Sequence, residues 1–106
     1  MSSVVAVVGA TGAVGRQMLR ILEERKFPAK KVLALASKRS AGSQIPYSGP
    51  GSQGGSLTVV ELTPQSLEGV SIALMSAGSS VSREFAPIAA AAGATVIDNS
   101  SAWRMD

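Results

Sequence analysis

The segment Gly9-Ala10-Thr11-Gly12-Ala13-Val14-Gly15 constrains the fold more than any other part of this 106-residue chain, because of what flanks it. Ser3 to Val8 is a short run dominated by valine, the pattern of a strand buried on both faces of a parallel sheet. Beyond the glycines, Val14, Met18, Leu19, Ile21 and Leu22 recur at helical spacing among Arg16, Gln17, Arg20, Glu23 and Glu24, which predicts an amphipathic helix over Ala13 to Arg25. Phe27-Pro28 ends it, since the residue before a proline is pushed out of the helical region. Val32 to Ala36 then reads as a second buried strand, completing a βαβ unit.

From Ser37 to Ser56 the chain turns rich in Gly, Ser and Pro, which predicts a long loop with room for a short edge strand near Gln44 to Tyr47. Leu57 to Leu62 reads as a third strand and Val70 to Met75 as a fourth. Between them, Thr63-Pro64 opens a short helical turn with a capping hydroxyl and proline at the first position, ending by Gly69. Ser80 to Ala92 is a second helix, closed by Gly93 and expected to kink at Pro87. Thr95 to Asp98 is a fifth strand, followed by a polar tail with the only Trp. Strands alternating with helices or turns predict an α/β, Rossmann-like, doubly wound and mostly parallel sheet of about five strands, in a single domain over residues 1–106.

Composition narrows the chemistry. Zero Cys and zero His remove a disulfide framework, a Cys/His zinc site, a Ser-His or Cys-His pair and any imidazole acid-base group. The net charge of +3 invites a nucleic-acid reading, but it is unevenly placed: residues 1–40 carry +6 and residues 41–106 carry −3. One Trp, one Tyr and two Phe are too scattered to stack nucleobases, so a small phosphorylated ligand is the better expectation and no nucleic acid is expected. No apolar run approaches the roughly 18 residues of a membrane helix. The first residues, Met-Ser-Ser-Val-Val, lack the pattern of a signal peptide, so the expected location is cytoplasmic.

In that frame the glycine segment is a phosphate-binding turn. Gly9, Gly12 and Gly15 allow a tight turn and close backbone approach, and the amides around Thr11, Ala13 and Val14 face an anion at the positive end of the helix. The spacing departs from G-x-G-x-x-G, with Ala10 where the first glycine would stand; the alternative is a tight strand-helix turn with no ligand. The second strand should end in an acidic residue if the ligand were NAD. No Asp or Glu occurs from Arg25 through Val60, and Ser37-Lys38-Arg39-Ser40 stands at the expected place. Hydroxyls and a guanidinium suit a 2′-phosphate, which favours NADP; the alternative is a pair of solvated loop charges. Ser76-Ala77-Gly78 follows the fourth strand on the same sheet edge and leaves room for a cofactor, though it also reads as a plain helix entry. Arg104 is a lone cation that could meet a phosphate or carboxylate, or simply be exposed.

Four blocks together resemble the aspartate-β-semialdehyde dehydrogenase family: Val5 to Gly15, Leu35 to Gly42, Ile72 to Ser80 and Val96 to Met105. The resemblance covers nearly the whole chain and matches the N-terminal part of such enzymes. It implies interconversion of L-aspartate 4-semialdehyde, phosphate and NADP with L-4-aspartyl phosphate and NADPH, on the route to lysine, threonine, methionine and isoleucine. By the family pattern, Thr11 to Val14 hold the pyrophosphate, Ser37, Arg39 and Ser40 the 2′-phosphate, Ser76 to Gly78 the cofactor nearer its reactive end, and Arg104 the phosphate of the substrate. It also implies a homodimer at full length. The family's cysteine nucleophile and histidine fall after the matched part, so the chain is expected to be a cofactor-binding portion, inactive alone. Alternatives are a stand-alone NADP-binding or regulatory module, and N-acetyl-glutamyl-phosphate reductase, against which Ser37 to Gly42 and Asn99 to Met105 tell.

Overall fold

In the computed structural model, residues 4–24, 30–49, 52, 54–76 and 79–98 are described. Strand β1 (Val4–Val8) leads through the glycine turn into helix α1 (Ala13–Glu24), which returns to β2 (Lys31–Ala36). A 3-10 turn at Lys38–Ser40 precedes β3 (Gln44–Pro46) and β4 (Ser56–Glu61). A second 3-10 turn, Gln65–Leu67, crosses to β5 (Ile72–Met75), followed by α2 (Ser79–Ala91) and β6 (Thr95–Asp98).

The strands form one sheet in the order β3-β4-β2-β1-β5-β6. All neighbours are parallel except β3 and β4, which pair antiparallel with Ile45 opposite Leu57. The doubly wound expectation is met with six strands rather than about five. The extra one is the edge strand inside the Gly/Ser/Pro stretch, where Ile45 and Tyr47 alternate inward between exposed Gln44, Pro46 and Ser48. The chain builds outward from β1 through β2 to β4, then returns to the other side of β1 for β5 and β6. The order therefore reverses between β1 and β5, and the strand ends there open a crevice.

β1 is buried because both faces of the sheet are covered at its position. On one face Leu19 and Leu22 of α1 pack with Val5, Val7, Val32, Ala34 and Val59. On the other, Val81, Phe85 and Ala89 of α2 pack with Ala6, Val8, Leu35, Ala73 and Met75. Fully burying each large side chain contributes about 1.5–3 kcal/mol, so this double layer fixes the β1 end and whatever is built on it. The β4 to β5 crossover is too short to cover the sheet with a helix, and Val60 on β4 stays 45% exposed.

The turns follow their residues. Thr63 Oγ1 accepts the Ser66 N–H at 3.0 Å, and the Thr63 N–H donates to Ser66 Oγ at 2.9 Å, a reciprocal cap on the 3-10 turn. Helix α2 ends at Gly93 (φ 99°), where the Ala94 N–H reaches the Ala89 carbonyl and the Gly93 N–H that of Ala90, each at 3.0 Å. Pro87 lies on an exposed position within α2 and cannot supply the helical hydrogen bond to the Arg83 carbonyl.

Candidate functional site

The glycine turn is set by two backbone contacts across the sheet. The Gly9 and Ala10 amides donate to the Leu35 carbonyl at 2.8 and 3.1 Å, so the end of β1 is tied to the end of β2. Gly9 takes φ 84°, a conformation that a side chain would strain. Gly15 is needed for a different reason: a Cβ there would collide with the Gly9 carbonyl and lie 2.8 Å from Ala10 Cα. The absent side chain lets α1 pack directly against the turn that precedes it.

That packing aims the start of α1 at the crevice. The Gly12 N–H bonds to the Gly9 carbonyl and the Arg16 N–H to the Gly12 carbonyl, so the amides of Ala13, Val14 and Gly15 precede the first helical donor. No acidic side chain occupies the first turn to neutralise its positive end. A Cβ at Gly12 would stand 3.5 Å from the Gly9 carbonyl, an ordinary contact. Among the described residues nothing therefore demands glycine at position 12, which is exposed and borders the cleft.

A cleft of about 420 Å³ opens at this point, lined by Gly9, Thr11, Gly12, Ala36, Ser37, Leu62, Ser76, Val81 and Phe85. It lies in the range of small-ligand sites, roughly 300–1,000 Å³, and combines an apolar wall with a few polar groups. The structure thus brings together the ends of β1, β2, β4 and β5. Of the residues expected from sequence, Gly9, Thr11, Gly12, Ser37 and Ser76 line the cleft; Ala13, Val14 and Gly15 form the helix start behind it. Arg39 and Ser40 sit in the 3-10 turn directly after Ser37, outside the lining, with Arg39 exposed and Ser40 half-buried. Ala77, Gly78 and Arg104 lie outside the described residues.

Two polar details matter. Ser37 enters the 3-10 turn in an extended conformation (φ −64°, ψ 162°), and its hydroxyl makes no capping bond to that turn. Ser76 Oγ donates to the Val8 carbonyl at 2.6 Å, pinning the end of β5 to the end of β1. Sequence reasoning missed Leu62, Val81 and Phe85. Leu62 is the apolar residue where β4 stops, and Val81 and Phe85 stand four apart on α2, the spacing of one helical face.

Residues 4–106 match the family model described as semialdehyde dehydrogenase, NAD binding domain. The chain belongs to this family. Semialdehyde dehydrogenase domains of this kind take a nicotinamide dinucleotide, in accord with the glycine turn at a reversal of strand order. Over 102 residues the chain is 57% identical to the aspartate-semialdehyde dehydrogenase of Bacillus subtilis (strain 168), covering 96% of this chain and 28% of that protein. It is 50% identical over 103 residues to the enzyme of the same name from Aquifex aeolicus (strain VF5), covering 96% and 29%. A crystal structure of aspartate semialdehyde dehydrogenase II complexed with ASA from Vibrio cholerae superposes with a TM-score of 0.85 at 43% identity, covering all of this chain and 33% of that one. The semialdehyde dehydrogenase domain thus spans about a third or less of the length of these relatives. Among the described residues, no helix is long and apolar enough to cross a membrane.

Proposed function

We propose that this chain is the NADP-binding portion of an aspartate-semialdehyde dehydrogenase, interconverting L-aspartate 4-semialdehyde, phosphate and NADP with L-4-aspartyl phosphate and NADPH. The observation that carries the choice of NADP is the end of β2. There Ser37 borders the cleft with its hydroxyl uncommitted to its own turn, Arg39 and Ser40 follow at once, and no carboxylate occurs from Arg25 through Val60. A carboxylate would repel a 2′-phosphate and accept from a ribose diol, whereas a guanidinium beside two hydroxyls does the reverse.

The residues fit such a ligand. The amides at the start of α1 bind the pyrophosphate, with glycine at position 12 leaving the backbone open to it. The apolar wall of Leu62, Val81 and Phe85 offers a dry surface for a flat ring. When bound, the nicotinamide supplies the hydride exchanged with the substrate. What this chain contributes is binding, orientation and exclusion of water; Arg104 is assigned to the phosphate of the substrate. With no Cys and no His, the chain holds neither the thiol for a thioester nor an imidazole for proton transfer. Turnover therefore requires a catalytic portion supplying both, and the complete enzyme is read as a cytoplasmic homodimer.

Titration with NADP, NAD and a short DNA duplex tests this reading. NADP should bind in preference to NAD, and Arg39→Ala should weaken NADP by about tenfold or more while barely changing NAD, as expected for one charge-assisted contact. Equal affinity for the two dinucleotides would remove the NADP assignment. Salt-sensitive DNA binding without nucleotide preference would remove the dinucleotide one. The purified 106-residue chain should give no phosphate-dependent turnover. A second reading is a stand-alone NADP-binding or regulatory module. The intact mass of the polypeptide in its source cells separates the two.

A further inference from the structure

The cofactor reading leaves most of the positive charge of residues 1–40 unused. On α1, Arg16 and Arg20 stand one turn apart, both exposed, and border a hollow of about 290 Å³ between α1 and β3 that Glu23, Ile45 and Pro46 also line. None of these five residues lines the dinucleotide cleft. The pair is unfavourable for the helix: like charges four residues apart repel, and Arg16 follows the free amides at the positive end of the dipole, where a cation is disfavoured. No carboxylate offsets it. Among the described residues neither guanidinium has an ion pair or a hydrogen bond. Glu23 Oε2 is taken by the Ser48 N–H at 2.6 Å, and Glu24 follows Arg20 by four residues, the weaker order for such a pair. A local conflict of this kind, with no return in packing, marks a place where the countercharge comes from outside.

We propose that Arg16 and Arg20 form a second anion site, separate from the dinucleotide cleft, that takes the phosphoryl group of a small phosphomonoester. Side chains one helical turn apart start about 5–6 Å from each other, so two long guanidinium forks can close on one group. A phosphoryl group brings nearly two negative charges at pH 7 and three acceptor oxygens, enough to satisfy both. A carboxylate brings one charge and leaves one guanidinium unmatched. The hollow is at the small end of ligand sites, so the body of the ligand is a single ring or a short chain, laid against Ile45 and Pro46. Glu23 contributes no donor and limits the site to one phosphoryl group.

Phenyl phosphate and benzoate test this, because they share a ring and differ in the anionic group. With NADP present in excess to fill the glycine turn, phenyl phosphate should still bind, about tenfold or more tightly than benzoate. Arg16→Gln and Arg20→Gln keep good helix formers at exposed positions; each should weaken phenyl phosphate about fivefold or more, while NADP affinity stays within about twofold. Phenyl phosphate binding that both substitutions leave unchanged would overturn the inference, as would equal affinity for benzoate or no binding at all. Displacement by NADP, or loss of NADP affinity in the same variants, would overturn it too, by placing the anion in the cofactor cleft. If NADP itself does not bind, the dinucleotide reading falls, and the two arginine variants still decide this one.

Discussion

The turn from Gly9 to Gly15 and the stretch from Ser37 to Ser56 adjoin the same cleft but are held in opposite ways. The first rests on β1, whose residues Val5 to Val8 are 0–1% exposed, and it is shaped by backbone contacts and by the side chain that Gly15 lacks. The second lies over the edge of the sheet. The Gly42 N–H to Val59 carbonyl bond and the Val59 N–H to Ser43 carbonyl bond, both 2.8 Å, pin it there. Tyr47 is buried against the core, and the Ser48 N–H donates to Glu23 Oε2 at 2.6 Å. On the proposed reading, the pyrophosphate falls to rigid backbone and the discriminating 2′-phosphate to an exposed side chain that can change without disturbing the core.

Gly15→Ala should have the largest effect, because the new Cβ meets backbone atoms of Gly9 and Ala10 that cannot swing away. A loss of about 3 kcal/mol or more, the upper end of overpacking, is expected in urea denaturation, with dinucleotide binding lost in parallel. A loss below about 1 kcal/mol would show the turn to be as yielding as the outer loop. Gly42→Ala is the complementary case: φ is 92°, yet nothing lies within 4 Å of the added Cβ. It should cost about 1–2 kcal/mol through backbone strain alone. NADP should weaken more than NAD, since only the 2′-phosphate end is disturbed; equal weakening would mean the strain reaches the glycine turn.

The smallest effect belongs to Tyr47. Burial, and secondarily the charge of Glu23, raises its hydroxyl above the usual 10.0. The neutral form is therefore favoured in the folded chain, and this contribution is intact below pH about 10. As pH rises through that point the unfolded chain loses its proton first, and stability falls. Tyr47→Phe should abolish that part of the alkaline decline, measured as urea midpoints at pH about 8 and about 10.5. An unchanged decline would show that Tyr47 does not anchor the outer stretch in this way.

The inner region was the easier to read for the same physical reason that makes it rigid. A strand buried on both faces must be apolar throughout, so β1 and β2 announce themselves, and the glycines between β1 and α1 stand where regular structure stops. The outer stretch has one sheet neighbour and one buried face, so β3 shows only as the alternation of Ile45 and Tyr47 among polar residues. Val70 was expected to begin β5, but its amide closes the preceding turn onto the Leu67 carbonyl and the strand starts at Ile72. The polar half of the cleft was visible because Ser and Gly mark where strands stop, and in a parallel sheet those ends are where ligands bind. Leu62, Val81 and Phe85 were not, because a residue that lines an apolar wall has the same composition as one that fills a core.

The short antiparallel β3 decides what the outer edge of the sheet offers to its surroundings. The Tyr47 N–H to Gly55 carbonyl and Val59 N–H to Ser43 carbonyl bonds fix the parity, so the odd-numbered residues of the strand bond inward and Gln44 and Pro46 turn their backbones outward. Proline has no N–H to offer. A six-residue β4 left bare would be a template for another chain; with β3 in place, an incoming strand would find one amide donor and then a ring. The sheet is closed to growth on that side by a single residue in what first reads as a loop.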